Sequence, residues 1–348
     1  MKGHNEVIKI NKKRGLTFAA IVGAAALALS GCAASTPDAA PAATGLASGF
    51  GSIGTNRDVM FFTYYNPSSD PFWHQIFQGA QDAAELGHLN LTHVTADSKD
   101  DVLISNIQTG IAKKPAIMFI PFNLGEKETT VACQAHDAGI KVIAYNVPPA
   151  PGAADCVSAF VGQDFYAVGQ IIGKQLLAQV PELKKGDKIF FPAEHAEQPY
   201  AQQRGGGVND SLAAKGLKGT FLSTGDDDAT TLSNLTAWLT ANKDVKAIVP
   251  LGGTPHRNVY QAMKDAGVTA KVIGFDTSQQ VIDAITAGED LGTADQQGYV
   301  QGFQSVMQGI LSIDFGLLAA NINSGGQGLV TKENVANLSD PKLKGVRY

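Results

Sequence analysis

The chain has 348 residues and a formal net charge of −5 at pH 7. It is long enough for two domains of ordinary size and too acidic to suit a nucleic-acid partner. Aromatic residues are sparse, Ala and Gly are abundant, and the body of the chain holds no stretch apolar enough to span a membrane.

The N-terminus reads as an address. Lys9, Lys12, Lys13 and Arg14 precede the apolar run Leu16–Leu29, about the length of a signal-peptide core. The next residues, Leu29-Ser30-Gly31-Cys32, resemble the lipobox of bacterial lipoproteins. That resemblance implies a signal peptide over residues 1–31 and a lipidated Cys32 at the mature N-terminus. An uncleaved anchor with an unmodified cysteine is the alternative. Removal of residues 1–31 takes away five basic groups and one acidic group, moving the formal charge from −5 to −9. Residues 32–57 are rich in Ala, Pro, Ser, Thr and Gly and read as a flexible tether.

From Asp58 onward apolar runs alternate with amphipathic stretches. Strands are expected at Val59–Tyr64, Leu89–Thr95, Ala116–Ile120, Lys141–Tyr145 and Ser158–Val161. Helices are expected at Phe72–Gly87, Asp101–Lys113 and Lys127–Ala138. The first helix opens on Asp70-Pro71, an N-cap followed by proline at the first helical position. A βαβαβαβ series of this kind implies a parallel sheet with right-handed crossovers. After Gly162-Gln163-Asp164 the pattern restarts with a helix at Phe165–Gln179. Strands are then expected at Lys188–Phe191, Thr220–Ser223, Ala247–Leu251, Lys271–Phe275 and Leu291–Ala294, separated by helices. A long helix follows from Tyr299 to about Leu318. The fold class is therefore α/β, with two lobes and a cleft between them. Ligands of open α/β sheets bind at the carboxyl ends of the strands.

Cys133 and Cys156 close a loop of about 24 residues. Outside the cytoplasm they form either a disulfide, worth roughly 3 kcal/mol on the chain-entropy model, or two reduced buried thiols.

Other motifs fail on context. Gly49-Phe50-Gly51-Ser52-Ile53-Gly54 matches GxGxxG but precedes the first strand, where no dinucleotide site forms. Gly169-Gln170-Ile171-Ile172-Gly173-Lys174 is one residue short of a P-loop and reads as helix. The seven histidines show no metal-ligand spacing, and no GxSxG elbow is present. No metal and no cofactor are expected.

A family resemblance rests on five segments in order. They are Asp70-Pro71-Phe72-Trp73, the run Ala138-Gly139-Ile140-Lys141-Val142-Ile143-Ala144-Tyr145-Asn146, Val161-Gly162-Gln163-Asp164, Gly274-Phe275-Asp276 and Asp295-Gln296-Gln297. Together they resemble the type I solute-binding proteins of bacterial ABC importers for simple sugars, the ribose- and galactose-binding group. The resemblance implies two Rossmann-like lobes with parallel sheets joined by a three-strand hinge. It implies a first lobe of 58–163 plus about 297–326 and a second of 164–296 plus about 327–348.

It also implies the ligand set. Phe72 and Trp73 occupy the family's stacking positions, and aromatic rings suit the C–H faces of a sugar. Asp276 of the GFD motif and Gln296 at the crossover match groups that hold hydroxyls. Asn146 stands where many relatives carry an Asp. Asp70, besides capping its helix, is a further candidate, as are Asn123 after the third strand and Glu194. Gln202 stands where the ribose binders place an arginine, which leaves Arg204 as a structural basic group. Gly252-Gly253-Thr254 replaces an asparagine of the relatives, so backbone N–H groups, Gly253 among them, or empty space take its role. These departures widen the ligand to a sugar or polyol.

The function expected is non-enzymatic capture of that solute by hinge closure and its delivery to ABC permease subunits. The protein would be a monomer, extracytoplasmic, and held to the membrane through its lipid anchor only. A sensor feeding a chemoreceptor or histidine kinase is the second reading, and a secreted hydrolase the third.

Overall fold

The structure is a computed structural model and describes residues 49–325, 328–338 and 340–348. Cys32, with the signal peptide and most of the expected tether, lies outside the described residues.

The first five strands are β1 (Asp58–Thr63), β2 (Asn90–Thr95), β3 (Ile117–Pro121), β4 (Lys141–Asn146) and β5 (Ala159–Gly162). Helices α1 (Pro71–Leu86), α2 (Asp100–Ala112) and α3 (Glu126–Asp137) lie between the first four. Helix α4 (Phe165–Gln179) leads into β6 (Lys188–Ala193), β7 (Gly219–Ser223), β8 (Val245–Ile248), β9 (Lys271–Phe275) and β10 (Asp290–Ala294). These alternate with α5 (Pro199–Leu212), α6 (Asp228–Ala241), α7 (Gly253–Ala266) and α8 (Gln279–Ala287). The chain then runs through α9 (Gly298–Phe315), β11 (Ile322–Asn323) and β12 (Leu329–Val330).

The strands form two six-stranded sheets, ordered β11-β5-β4-β3-β1-β2 and β12-β10-β9-β8-β6-β7. One sheet order repeats the other, strand for strand. Pairing is parallel throughout except for the edge strand β12 against β10. The central strand β3 is buried at every position, as the unbroken run Ile-Met-Phe-Ile-Pro requires, whereas the edge strand β2 is partly exposed.

The chain passes between the sheets three times, from β5 to α4, from β10 to α9 and from β11 to β12. The crossings are tied together. Gln163 donates to the Asp295 carbonyl at 3.4 Å, Ser324 Oγ to the Gln296 carbonyl at 3.0 Å, and the Ser324 amide to the Gly162 carbonyl at 2.8 Å.

Although late in sequence, α9 packs on α1 of the first lobe. A Cβ on Gly302 would lie 1.8 Å from the Ile76 carbonyl oxygen, so only glycine lets the two backbones approach this closely.

Two expectations need correction. The tether does not run to residue 57, because the segment from Gly49 is held to the body. The Gly51 and Gly54 amides donate to the Asp314 carboxylate at 2.6 and 3.1 Å, and Arg57 pairs with it at 2.6 Å. The GxGxxG letters thus serve a carboxylate clasp. The strand expected at Ala247–Leu251 runs as β8 over Val245–Ile248, starting two residues earlier. Beyond it the Val249 and Leu251 amides still donate to the Phe190 and Pro192 carbonyls of β6, each at 2.8 Å. Cys133 on α3 is disulfide-bonded to Cys156 in the turn before β5.

Candidate functional site

A cavity of about 600 Å³, part of it open to solvent, lies where the carboxyl ends of the two sheets face each other. The first lobe supplies Asp70, Phe72 and Trp73 from the start of α1, Asn123 after β3, and Asn146 at the end of β4. The second supplies Glu194 after β6, Gly253 at the start of α7, and Asp276 after β9, with Gln296 from the crossing strand. Nine of the ten expected ligand positions therefore line one cavity.

Gln202 does not. It is exposed on α5, and its amide donates to the Ala196 carbonyl. Arg204 lines the cavity instead. Two residues along a helix rotate a side chain by about 200°, so positions 202 and 204 face opposite ways. Arg204 has the structural part expected of it and faces the cavity besides. Arg204 Nη1 donates to the Leu251 carbonyl at 2.5 Å and lies 3.8 Å from Asp276 Oδ2. Its guanidinium packs over the rings of Phe165 and Phe275, 4.3 and 4.7 Å from their centroids.

Asp70 accepts from the Trp73 amide at 3.0 Å, so the cap read from the sequence is present. The same carboxylate lies 3.7 Å from Arg257 of α7, across the cleft. Burial raises its pKa to about 6, helped by the charges of Glu194 and Asp276 and opposed by Arg257 and the Trp73 amide. Asp276 is raised too, again chiefly by burial, with Arg204 and Gln296 opposing.

Asn146 and Asp276 end equivalent strands of the two lobes, and both hold a left-handed backbone, at φ 66° and 72°. Such backbone is costly for residues other than glycine and least so for Asn and Asp. Asn146 donates to Gln301 at 3.2 Å, and Asp276 accepts from the Gln296 amide.

Trp73 is only 4% exposed and sits against Tyr65, Tyr145 and Phe72, so one ring serves core and cavity at once. Phe72 is half-buried. Asn123 Oδ1, Gln296 Oε1 and Arg204 Nε are buried in or beside the cavity wall with no hydrogen-bond partner among the described residues. Unpaired buried polar atoms are expensive, and these three are poised for a ligand that donates and accepts.

Arg257, Tyr65 and Tyr200 also line the cavity and were not read from the sequence. Tyr65 and Tyr200 stand beside the end of β1 and the start of α5, a position that could have marked them, whereas Arg257, a turn into α7, carries no such signal. Among the described residues no group of three or more His, Cys, Asp or Glu is arranged to hold a metal.

The model of the periplasmic binding protein domain family matches residues 61–314. The chain belongs to that family. It is 24% identical over 308 residues to a xylose/arabinose-binding protein of Sulfolobus acidocaldarius, covering 81% of this chain and 72% of that one. It is 27% identical over 244 residues to a ribose import binding protein of Haemophilus influenzae, covering 68% of this chain and 80% of that one. A carbohydrate transporter from Acidothermus cellulolyticus in complex with myo-inositol superposes with a TM-score of 0.74 at 25% identity. That match covers 84% of this chain and 100% of the other. As a periplasmic binding protein, the chain has the type I arrangement of two α/β lobes around one cleft.

Proposed function

We propose that this periplasmic binding protein captures a sugar or cyclic polyol outside the cytoplasm and delivers it to the permease of an ABC importer. The observation that carries the reading is the cavity itself. Aromatic faces at Phe72 and Trp73 meet carboxylates, amides and a guanidinium from the opposite lobe. Stacking surfaces beside paired donors and acceptors suit a hydroxylated ring. The sugar-binding relatives and the inositol-bound neighbour support the same class.

Capture would proceed by closure of the two lobes about the three crossing strands, with contacts from both stabilising the closed state. The protein acts as a binder and not as an enzyme, as a monomer and without a cofactor. Its ligand set is Asp70, Phe72, Trp73, Asn123, Asn146, Glu194, Gly253, Asp276 and Gln296, joined by Arg204.

A thermal-shift screen of residues 49–348 against sugars and polyols tests the class. A ligand at 100 times its Kd adds about 2.7 kcal/mol of stability. In calorimetry with that ligand, Asp276→Asn should weaken binding roughly tenfold or more, because a charged acceptor is worth about 1.5–3 kcal/mol. Trp73→Ala should lose affinity and also lower the ligand-free melting temperature, since the ring is part of the core; truncation costs about 3 kcal/mol. Unchanged affinity in both variants refutes the site.

The lipid anchor at Cys32 rests on the lipobox-like segment. Cys32→Ser should abolish detergent-phase partitioning and leave ligand affinity intact. Equal partitioning of the two forms removes the anchor.

A further inference from the structure

Gly252 is a glycine that its own backbone does not require. Its φ of −148° and ψ of 171° are ordinary extended values that any residue adopts. What requires it is Glu194. A Cβ at position 252 would lie 1.9 Å from Glu194 Oε2 and 2.7 Å from Oε1. The missing side chain at the mouth of β8 is thus replaced, in space, by a carboxylate reaching over from the mouth of β6.

That carboxylate is held in place. Its Oε1 accepts from the Thr254 amide at 2.8 Å and its Oε2 from the Tyr200 hydroxyl at 2.6 Å. Each oxygen has a second lone pair, and the group lines the cavity while being 7% exposed. No cation is bonded to it among the described residues. The nearby guanidiniums are engaged elsewhere: Arg204 with the Leu251 carbonyl and Asp276, Arg257 with Asp228 at 2.7 Å and Asp70 at 3.7 Å. The cavity wall therefore carries three carboxylates, at 70, 194 and 276, against two guanidiniums, one of them shared with Asp228 outside the cavity.

We propose that Glu194, admitted by Gly252, is the specificity-determining group of this cleft, and that it restricts the ligand to neutral hydroxylated rings. An ionised carboxylate is acceptor-only, so the ligand must turn a hydroxyl donor toward it. A ligand carboxylate or phosphate brought to the same place meets like charge in a desolvated site whose two guanidiniums already face Asp70, Asp228 and Asp276, which costs far more than in water. Glu194 is also among the charges that raise the pKa of Asp70 and Asp276, after burial, so its field reaches across the cavity.

This inference rests on the proposed function, and the experiment separates the two. Calorimetry would compare myo-inositol, D-glucose, D-galactose, D-xylose and D-ribose with D-glucuronate and D-galacturonate. It would use the unaltered protein, Glu194→Gln and Gly252→Ala. The unaltered protein should bind the best neutral hexose at least about a hundredfold tighter than its uronate. Glu194→Gln should weaken the best neutral ligand about tenfold and shrink that ratio by at least about tenfold. Gly252→Ala should do the same although every cavity side chain is retained, because its methyl displaces the carboxylate. Should Gly252→Ala fail to fold, Glu194→Gln alone decides. A uronate bound within a few-fold of its parent sugar overturns the inference, and so does an unchanged ratio in the variants, and either leaves the proposed function standing. Failure of every ligand in the panel to bind the unaltered protein overturns both.

Discussion

Asp70 shows how one side chain can serve two ends at a cost. It caps α1, faces Arg257 across the cleft, and is held largely out of water, so its carboxyl titrates near 6 and not near its ordinary 3.8. Between those values the folded protein binds more protons than the unfolded chain. The contribution of Asp70 to the stability of the ligand-free protein is therefore fully present below pH 3.8 and lost as pH rises through about 6. Binding follows the opposite slope, because a hydroxyl donor needs the ionised form. Affinity should fall as pH drops below about 6, and Asp70→Asn should flatten its part of both profiles. Asn is as good a cap as Asp, so the helix survives the change. Melting curves and calorimetry from pH 5 to 8 check this, and an Asp70→Asn profile parallel to that of the unaltered protein sinks it.

At the scale of elements, the two lobes solve one packing problem the same way. In the first, α1 and α9 touch through Gly79 and Gly302, where a Cβ would lie 2.1 Å from the Tyr299 carbonyl and 1.8 Å from that of Ile76. In the second, α4 and α5 touch through Gly169 and Gly207, with corresponding distances of 2.2 Å to the Arg204 carbonyl and 2.1 Å to that of Tyr166. The glycines that mimic a P-loop in the sequence are thus helix-contact residues. The contact at Gly169 is made with the backbone of Arg204 itself. Gly302→Val and Gly169→Val should each destabilise by about 1–3 kcal/mol through overpacking. Only Gly169→Val should also weaken ligand binding severalfold in the molecules that remain folded, because it pushes Arg204 from the cavity. Equal affinity losses in the two variants would remove the distinction.

The alternation of strands and helices was legible because buried parallel strands are unbroken apolar runs and their helices are amphipathic. The helix Phe165–Gln179 and the strand Lys271–Phe275 match the expected bounds to the residue. The two-residue strands β11 and β12 were not legible, since a pair of residues has no period. Of the cavity wall, Asn146, Asp276 and Gln296 were expected through the family resemblance, and Asp70 through its place at a helix start after the first strand. What depends on helical phase went astray, as Gln202 and Arg204 show. What depends on tertiary approach, such as Glu194 filling the space at Gly252 or Arg257 reaching Asp70, has no local signature at all.

At the scale of the whole molecule, the lobes touch each other directly as well as sharing a cavity. Tyr65 of the first donates to Asp226 of the second at 2.8 Å, and Gln198 of the second donates to the Tyr64 hydroxyl at 3.2 Å. These bonds exist only while the lobes are together, so they favour closure before any ligand contributes. Asp226 stands outside the ligand cavity but also holds His195 of its own lobe at 2.8 Å, so Tyr65→Phe, which leaves that pair intact, is the cleaner probe of closure. One such bond is worth about 1 kcal/mol, or roughly a fivefold shift in the balance between open and closed forms. Asp226→Ala should then weaken apparent affinity about fivefold, mainly through faster ligand release, without altering which ligand is preferred. Tyr65→Phe should have the same effect, and the double variant should lose no more than either single one, as the cycle for a single shared bond requires. Stopped-flow release rates and small-angle scattering of the ligand-free proteins give the readout, the variants being the more extended. Additive losses in the double variant would show that Tyr65 and Asp226 act separately, and the direct link between the lobes would then have no part in closure.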